Sequence, residues 1–434
     1  MTVTFDRIEL SAGVHLNYAF SDRFKTDGLS LYFLLPLGCE TIAADSLLPE
    51  VLRMGSEKAP SPRAMTCRAQ ELYDTSVTVA HYNLGNQKIL LFSADMLSSD
   101  FLPKGTDLLA PTGEFLADLI CRPYQEDGLF SEKYTALRKK ALIDAVRAEI
   151  NHKGTYALLR CRSAMCEGTV GTYLPYGSEE MISAVTQKSL TERYHQVLSE
   201  ATVECFYEGR AEKEDVIACL AFLGNISRHP AEAPCAWQEL PRPDGVRRIE
   251  ERVAAKQGRL VIGMRYTPAK TKEELSSFLL MLELLAYSPV AKLFTRVRES
   301  LGLCYSCSAV NDSARGMLFL TAGIDSDKHE KAERAMLAQV RAIGRKRLTE
   351  FEFSSAKKSL IASLSALADM PDSLELFLLR RRMMGFPTTI EEEIARIQSI
   401  SERQLAAAAR KLWTDTVFFL RANSCAEEGG EDDE

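Results

Sequence analysis

The segment Leu293 to Val310, LFTRVRESLGLCYSCSAV, concentrates more reactive side chains than any other stretch of the chain. Its pattern predicts a helix from Pro289 through Arg296, Arg298 and Glu299, closed by Gly302, and then a strand from Cys304 to Val310. Arg298 at the helix end and Tyr305 at the strand start can converge on one pocket, where a guanidinium and a phenol would both donate to a carbonyl oxygen. Spacing alone favours a plainer reading, a salt-bridging surface arginine and a half-buried tyrosine. Cys304 and Cys307 form a C-x-x-C, but on a strand they point to opposite faces, so they read as small buried hydrophobes rather than a redox or metal pair.

Metal chemistry elsewhere has little to work with. The six histidines stand at 15, 81, 152, 195, 229 and 329, and no two are close enough in sequence to form a local pair. Cys161 and Cys166 lie five apart on an expected helix, a poor angle for shared ligation, and read as core. There is no G-x-x-x-x-G-K-[ST], no G-x-G-x-x-G and no G-x-S-x-G, so nucleotide binding and α/β-hydrolase chemistry have no support. The leucine-rich stretch Leu279 to Leu285 reads as a buried helix.

The elements that position Arg298 and Tyr305 belong to a pattern used twice. In the first half an apolar strand, LSLYFLLPL from Leu29 to Leu37, precedes a helix that Asp45 or Ser46 can cap and Gly55 can close. Two strands follow, Val77 to His81 and Lys88 to Ala94, then a helical block and a strand from Ala201 to Tyr207. After a proline-rich stretch the order returns: strand Arg259 to Tyr266, helices, and strands Cys304 to Val310 and Met317 to Ile324. Within the helical blocks KKALIDAVRA from Lys139 matches KKSLIASLSA from Lys357, and EEMISAVTQKSL from Glu179 matches EEEIARIQSISE from Glu391. The shared order and offset indicate an internal duplication, two α+β units of about 210 residues, each a sheet covered on one side by helices. The expected boundaries are a first domain over 1–223, a linker over 224–245, a second domain over 246–423 and an acidic, disordered tail over 424–434.

A chain of 434 residues with 46% hydrophobic and 26% charged residues is an ordinary globular composition, long enough for two or three cores. The net charge of -7 comes mostly from the tail, whose six acids leave 54 acids against 53 bases in the rest. A nearly neutral body gives no electrostatic case for nucleic acid. Eleven scattered cysteines and an N-terminus without a basic or apolar leader point to free thiols in a reducing cytoplasm, and no apolar run is long enough for a membrane span.

The Arg-x6-Tyr spacing of Arg298 and Tyr305 in R-E-S-L-G-L-C-Y, set in a duplicated α+β chain, resembles the second-domain signature of the M16 metallopeptidases, which include insulysin, pitrilysin and the mitochondrial processing peptidases. The resemblance covers nearly the whole chain. It implies the M16/LuxS-like metallohydrolase fold with two tandem homologous domains, each an antiparallel-rich sheet with helices on one side. It further implies that Arg298 and Tyr305 contact substrate and stabilise the developing oxyanion. Family catalysis uses an inverted zinc motif, H-x-x-E-H, with a further carboxylate as third ligand. Matching Gly55-Ser56 to the Gly-Thr that usually follows this motif puts Ser46, Pro49 and Glu50 at its positions, and none is the required residue. The third carboxylate would be Asp144 or Glu149, and the sequence does not choose between them.

The resemblance therefore implies a zinc-less, non-catalytic M16 member of the bacterial two-chain type. Such a chain has no catalytic residue and no cofactor of its own. It binds peptide or protein substrate and pairs with a zinc-bearing M16 homologue, which supplies the metal; a homodimer is the other pairing. The alternatives are a purely structural or assembly subunit, in which Arg298 and Tyr305 are relics, and a metalloendopeptidase with a variant metal site. Neither nucleic acid nor membrane is an expected partner.

Overall fold

A computed structural model of the chain describes residues 4–173, 175–230 and 244–423. The first half holds β1 (Asp6–Ser11), β2 (Val14–Phe20), β3 (Thr26–Pro36), α1 (Ile42–Leu52), α2 (Pro62–Glu71), β4 (Ser76–Leu84), β5 (Gln87–Leu97) and α3 (Leu109–Cys121). There follow the short hairpin β6 (Gln125–Glu126) and β7 (Leu129–Phe130), then α4 (Glu132–Ala148), α5 (Lys153–Met165), α6 (Glu179–Ala184), α7 (Gln187–Glu200), β8 (Thr202–Gly209) and α8 (Lys213–Cys219). The second half holds β9 (Arg247–Ala254), β10 (Gly258–Arg265), α9 (Lys272–Leu282), a wide helix Leu293–Ser300, β11 (Ser306–Asp312) and β12 (Met317–Ile324). It ends with α10 (His329–Gly344), α11 (Glu350–Leu367), α12 (Pro371–Met383), α13 (Ile390–Ser399), α14 (Glu402–Arg410) and β13 (Trp413–Asn423).

The first sheet runs β1-β2-β8-β3-β5-β4 and the second β11-β12-β10-β13-β9. Laid side by side, β2, β8, β3, β5 and β4 correspond to β9, β13, β10, β12 and β11. In both series the first pair is parallel and every later pair antiparallel. The matched sequences fall on corresponding elements, α4 with α11 and α6 with α13. The fold is α+β with one topology used twice; β1 is an addition at the edge of the first sheet.

The continuous apolar run of β3 needs cover on both faces. Leu31, Phe33 and Leu35 pack with Leu47, Leu48 and Val51 of α1, Leu116 and Leu119 of α3, and Leu190 and Tyr194 of α7. On the other face Tyr32 is also buried, and its hydroxyl donates to Glu375 at 2.9 Å. Glu375 lies in Pro371–Arg380, which belongs to the first compact unit together with 1–147 and 173–236. Reciprocally, Ala148–Thr172, which contains α5, belongs to the second unit with 237–370 and 381–434. There Ala157, Cys161 and Met165 pack on Val261, Phe319, Phe418 and Leu420. Gly263 makes this possible, because a Cβ there would stand 2.3 Å from the sulfur of Met165.

The compact units are therefore not the contiguous stretches 1–223 and 246–423. The helix after the long one in each half, α5 or the first turns of α12, is assigned to the other unit, because each half's own helices cover one face of its sheet and the apolar second face requires another. The tail 424–434 and most of the linker, 231–243, lie outside the described residues.

Candidate functional site

α1 carries the three positions matched to the zinc motif. It begins at Ile42 with Thr41 as the preceding residue, so Asp45 and Ser46 are inside the first turns rather than at a cap. Asp45 is fully buried and takes the Arg193 guanidinium of α7 on both oxygens, Nε at 2.6 Å and Nη2 at 3.2 Å. Ser46 donates to the Ile42 carbonyl at 2.7 Å and accepts from Lys88 Nζ at 2.9 Å. Lys88, on β5, is fully buried and also donates to Nδ1 of His81 on β4 at 2.9 Å. Burial lowers the Lys88 amine to about 7, with Asp45 acting the other way. Burial, and then the neighbouring Lys88, lower the His81 imidazole to about 3, which keeps it neutral as an acceptor. Glu50 is held by Arg138 of α4 and by Arg53 at 2.7 Å. Pro49 sits in the helix interior and offers no ligand.

These residues do not fit a zinc ion. A dication at Ser46 would stand beside an ammonium, the serine hydroxyl is already committed to Lys88 and Ile42, and the Glu50 carboxylate is bound by two guanidinium groups. The group that α4 directs at α1 is the cation of Arg138, not a carboxylate. Asp144 is exposed on α4, and Glu149 belongs to the second unit, where burial raises its carboxyl. Among the described residues no group of three or more His, Cys, Asp or Glu could hold a metal.

The segment that leads into the edge hairpin of the second half looks different. The wide helix Leu293–Ser300 contains i to i+5 hydrogen bonds, such as Leu301 N–H to the Arg296 carbonyl at 3.1 Å, a form rare in proteins and frequent at functional sites. Its Arg298 lies over the Phe294 ring, 5.0 Å from the centroid, and 3.6 Å from Glu299. Gly302, at φ +57, lets the chain turn away. Tyr305 is 54% exposed and donates to Asp325 at 2.8 Å, and that carboxylate also accepts from Lys328. The bond to Asp325 holds the phenol above its ordinary value. Phe294 and Leu301 are exposed beside these groups. β11, the strand that follows, is at the edge of its sheet and, among the described residues, pairs only with β12.

β11 begins at Ser306, so Cys304 and Tyr305 precede it and the two-face alternation expected from Cys304 onward does not hold. The chain bends at Tyr305, with Cys304 buried and Cys307 half-buried. The buried polar grouping that sequence reasoning missed is His81 with Lys88. Its signal was a lysine at the start of KILLFSA, in period-two register with Leu90 and Phe92 on the core-facing side.

Two repeats of a sheet-and-helix unit, with a motif helix stripped of metal ligands and an arginine–tyrosine pair beside an edge strand, define a peptidase-like α+β protein. The chain is similar to M16 peptidases in sequence and in fold. Residues 184–360 match the family model described as the Peptidase M16 inactive domain. Over 422 residues, 95% of this chain and 97% of the relative, it is 24% identical to the probable inactive metalloprotease YmfF of Bacillus subtilis. Its fold is similar to that of a conserved protein from Enterococcus faecalis, with TM-score 0.87, 23% identity and coverage of 98% and 100% of the two chains. A peptidase M16 inactive domain structure from Pseudomonas fluorescens gives TM-score 0.78 at 14% identity, again over 98% and 100%.

Proposed function

We propose that this chain is a non-catalytic M16-type subunit that binds extended peptide or protein segments and complements a zinc-bearing homologue. The observation that carries the reading is a contrast. At the degenerate motif Asp45, Ser46 and Glu50 are each bound by a neighbouring side chain, the first two fully buried, whereas Arg298 and Tyr305 are presented to solvent beside a strand edge. An extended peptide adding to β11 would find the backbone of an edge strand, apart from the Ala309 carbonyl that accepts from the Tyr287 hydroxyl, and a guanidinium and phenol at its start. Those two donors can lower the energy of an oxyanion generated on the partner's metal. The inactive relative of the same length supports the absence of independent catalysis.

The residues also support a cytoplasmic location, since the nine described cysteines are all free. Among the described residues no helix is long and apolar enough to cross a membrane. The test is peptide cleavage by the purified chain with added zinc, alone and mixed with a zinc-bearing M16 homologue from the same genome. The reading expects cleavage only in the mixture, above the rate of the homologue alone. Efficient, chelator-sensitive cleavage by this chain alone overturns it.

A further inference from the structure

Between the C-terminal ends of α10 and α14 lies a surface cavity of about 360 Å³, all of it within the second unit. That size falls inside the range of small-molecule sites, about 300–1,000 Å³. The lining joins the buried Met264 and Val340 and the half-buried Leu337 to the guanidinium side chains of Arg341, Arg345 and Arg410. Among the described residues no carboxylate lines it. Leu337, Arg341 and Arg345 stand four apart along α10 and the residue that caps it, so the two arginines are neighbouring like charges that repel each other.

Arginines at a helix C-terminus ordinarily bond its last carbonyls. Here that work is done by other groups. The Arg345 N–H donates to the Arg341 carbonyl at 3.0 Å, Lys346 N–H to Ile343 at 2.9 Å and Arg347 N–H to Ala342 at 2.8 Å. The Gly344 carbonyl accepts from Arg410 Nη1 at 2.8 Å, and Gly344 leaves room for the stem of Arg410, since a Cβ there would stand 3.2 Å from its Cγ. The side chains of Arg341 and Arg345 are exposed and make no hydrogen bond or ion pair among the described residues. Other arginines of the second unit do find carboxylates, Arg421 with Glu250 and Arg248 with Glu333. Lys346 takes the left-handed turn after the helix at φ +57, where a glycine would avoid the strain, and it adds a further cation beside the cavity.

We propose that this cavity binds a small organic phosphate, with its phosphoryl group on Arg341, Arg345 and Arg410 and its organic part against Met264, Leu337 and Val340. A phosphate monoester carries close to two negative charges at neutral pH and three acceptor oxygens, which suit the planar, bidentate donors of several guanidinium groups. A single carboxylate would leave most of the positive charge uncompensated. Arg410 can hold the Gly344 carbonyl and the ligand together, because a guanidinium has five N–H donors. The cavity includes neither Arg298 nor Tyr305, so the site stands whether or not peptide binds at β11.

The experiment titrates the full-length protein with phenyl phosphate and with inorganic phosphate by isothermal calorimetry at low salt, and sediments it with vesicles containing phosphatidic acid. Phenyl phosphate is expected to bind saturably and more tightly than inorganic phosphate. Arg341→Ala and Arg345→Ala are each expected to weaken it by about tenfold or more, the scale of a charge-assisted contact. Because both side chains are exposed and without partners, the variants are expected to keep the wild-type unfolding midpoint. Arg63→Ala, on the exposed surface of α2 in the first unit, is expected to bind as the wild type does. The proposal is overturned if phenyl phosphate gives no binding heat at millimolar concentration, if it binds no better than inorganic phosphate, or if Arg63→Ala loses as much affinity as the cavity variants. Sedimentation with the vesicles in the absence of phenyl phosphate binding overturns it too, since the arginines would then face a membrane surface rather than hold a small ligand.

Discussion

Each repeat carries helices between a central sheet strand and its edge hairpin, and two of them can be compared: α1, the first after β3, and the wide helix, the last before β11. Their polar groups have opposite fates. In α1, Asp45, Ser46 and Glu50 are consumed by Arg193, Lys88, Arg138 and Arg53, so the site is internally satisfied and has nothing left to offer a ligand. In the wide helix and the bend after it, Arg298 and Tyr305 are themselves exposed, and their contacts with Phe294, Glu299 and Asp325 cost little to exchange. Charge that a metal would neutralise in a peptidase is neutralised here by the protein's own cations, and the exposed arginine–tyrosine pair lies in the other repeat.

The largest test of this difference is Arg193→Ala. It strands the Asp45 carboxylate in a fully buried position and should cost about 3–5 kcal/mol of stability, read by denaturant unfolding. A loss below about 1 kcal/mol would show that the first site is not the closed network described, since that is the scale of an exposed pair. Lys88 sharpens the comparison through pH. Its folded value of about 7 lies below the ordinary lysine value, so between those two values the unfolded chain binds more protons and wild-type stability rises with pH. Lys88→Met should remove that part of the rise between pH 7 and 9. An unchanged pH slope would place the amine in water.

The opposite sign is expected at Glu375. Burial, with Asp372 and Asp95 adding to it, raises its carboxyl to about 8 against the hydrogen bonds from Ser30 and Tyr32. The folded state then holds the extra proton between the ordinary glutamate value and 8, so this contribution is lost as pH rises through that window. Glu375→Gln should narrow the stability difference between pH 5 and pH 8. The smallest expected effect is on the exposed site: Tyr305→Phe and Arg298→Ala should each change stability by no more than about 0.5 kcal/mol.

Much of this was legible in the letters. The duplicated strand–helix–hairpin order, the missing histidines and the Arg298/Tyr305 spacing all follow from periodicity and motif, which report local geometry. The exchanged helices were not legible, because α5 and α12 are each compatible with either sheet and only packing around Gly263 and Tyr32 decides. Nor was the meeting of Lys88 with Ser46, which joins residues 42 apart through tertiary contact. The strand expected from Cys304 starts two residues later, at Ser306, because the chain bends at Tyr305, so the alternation of faces applies only from Ser306 on.

Reconstituted cleavage tests the central division most directly. With a zinc-bearing homologue present, peptide turnover is measured for the wild-type chain, for Lys88→Met and for the double variant Arg298→Ala/Tyr305→Phe. The account predicts that Lys88→Met supports turnover as the wild type does, whereas the double variant loses about 100-fold, the scale of removing oxyanion donors. Turnover undiminished in the double variant, with zinc-dependent loss in Lys88→Met, would contradict it.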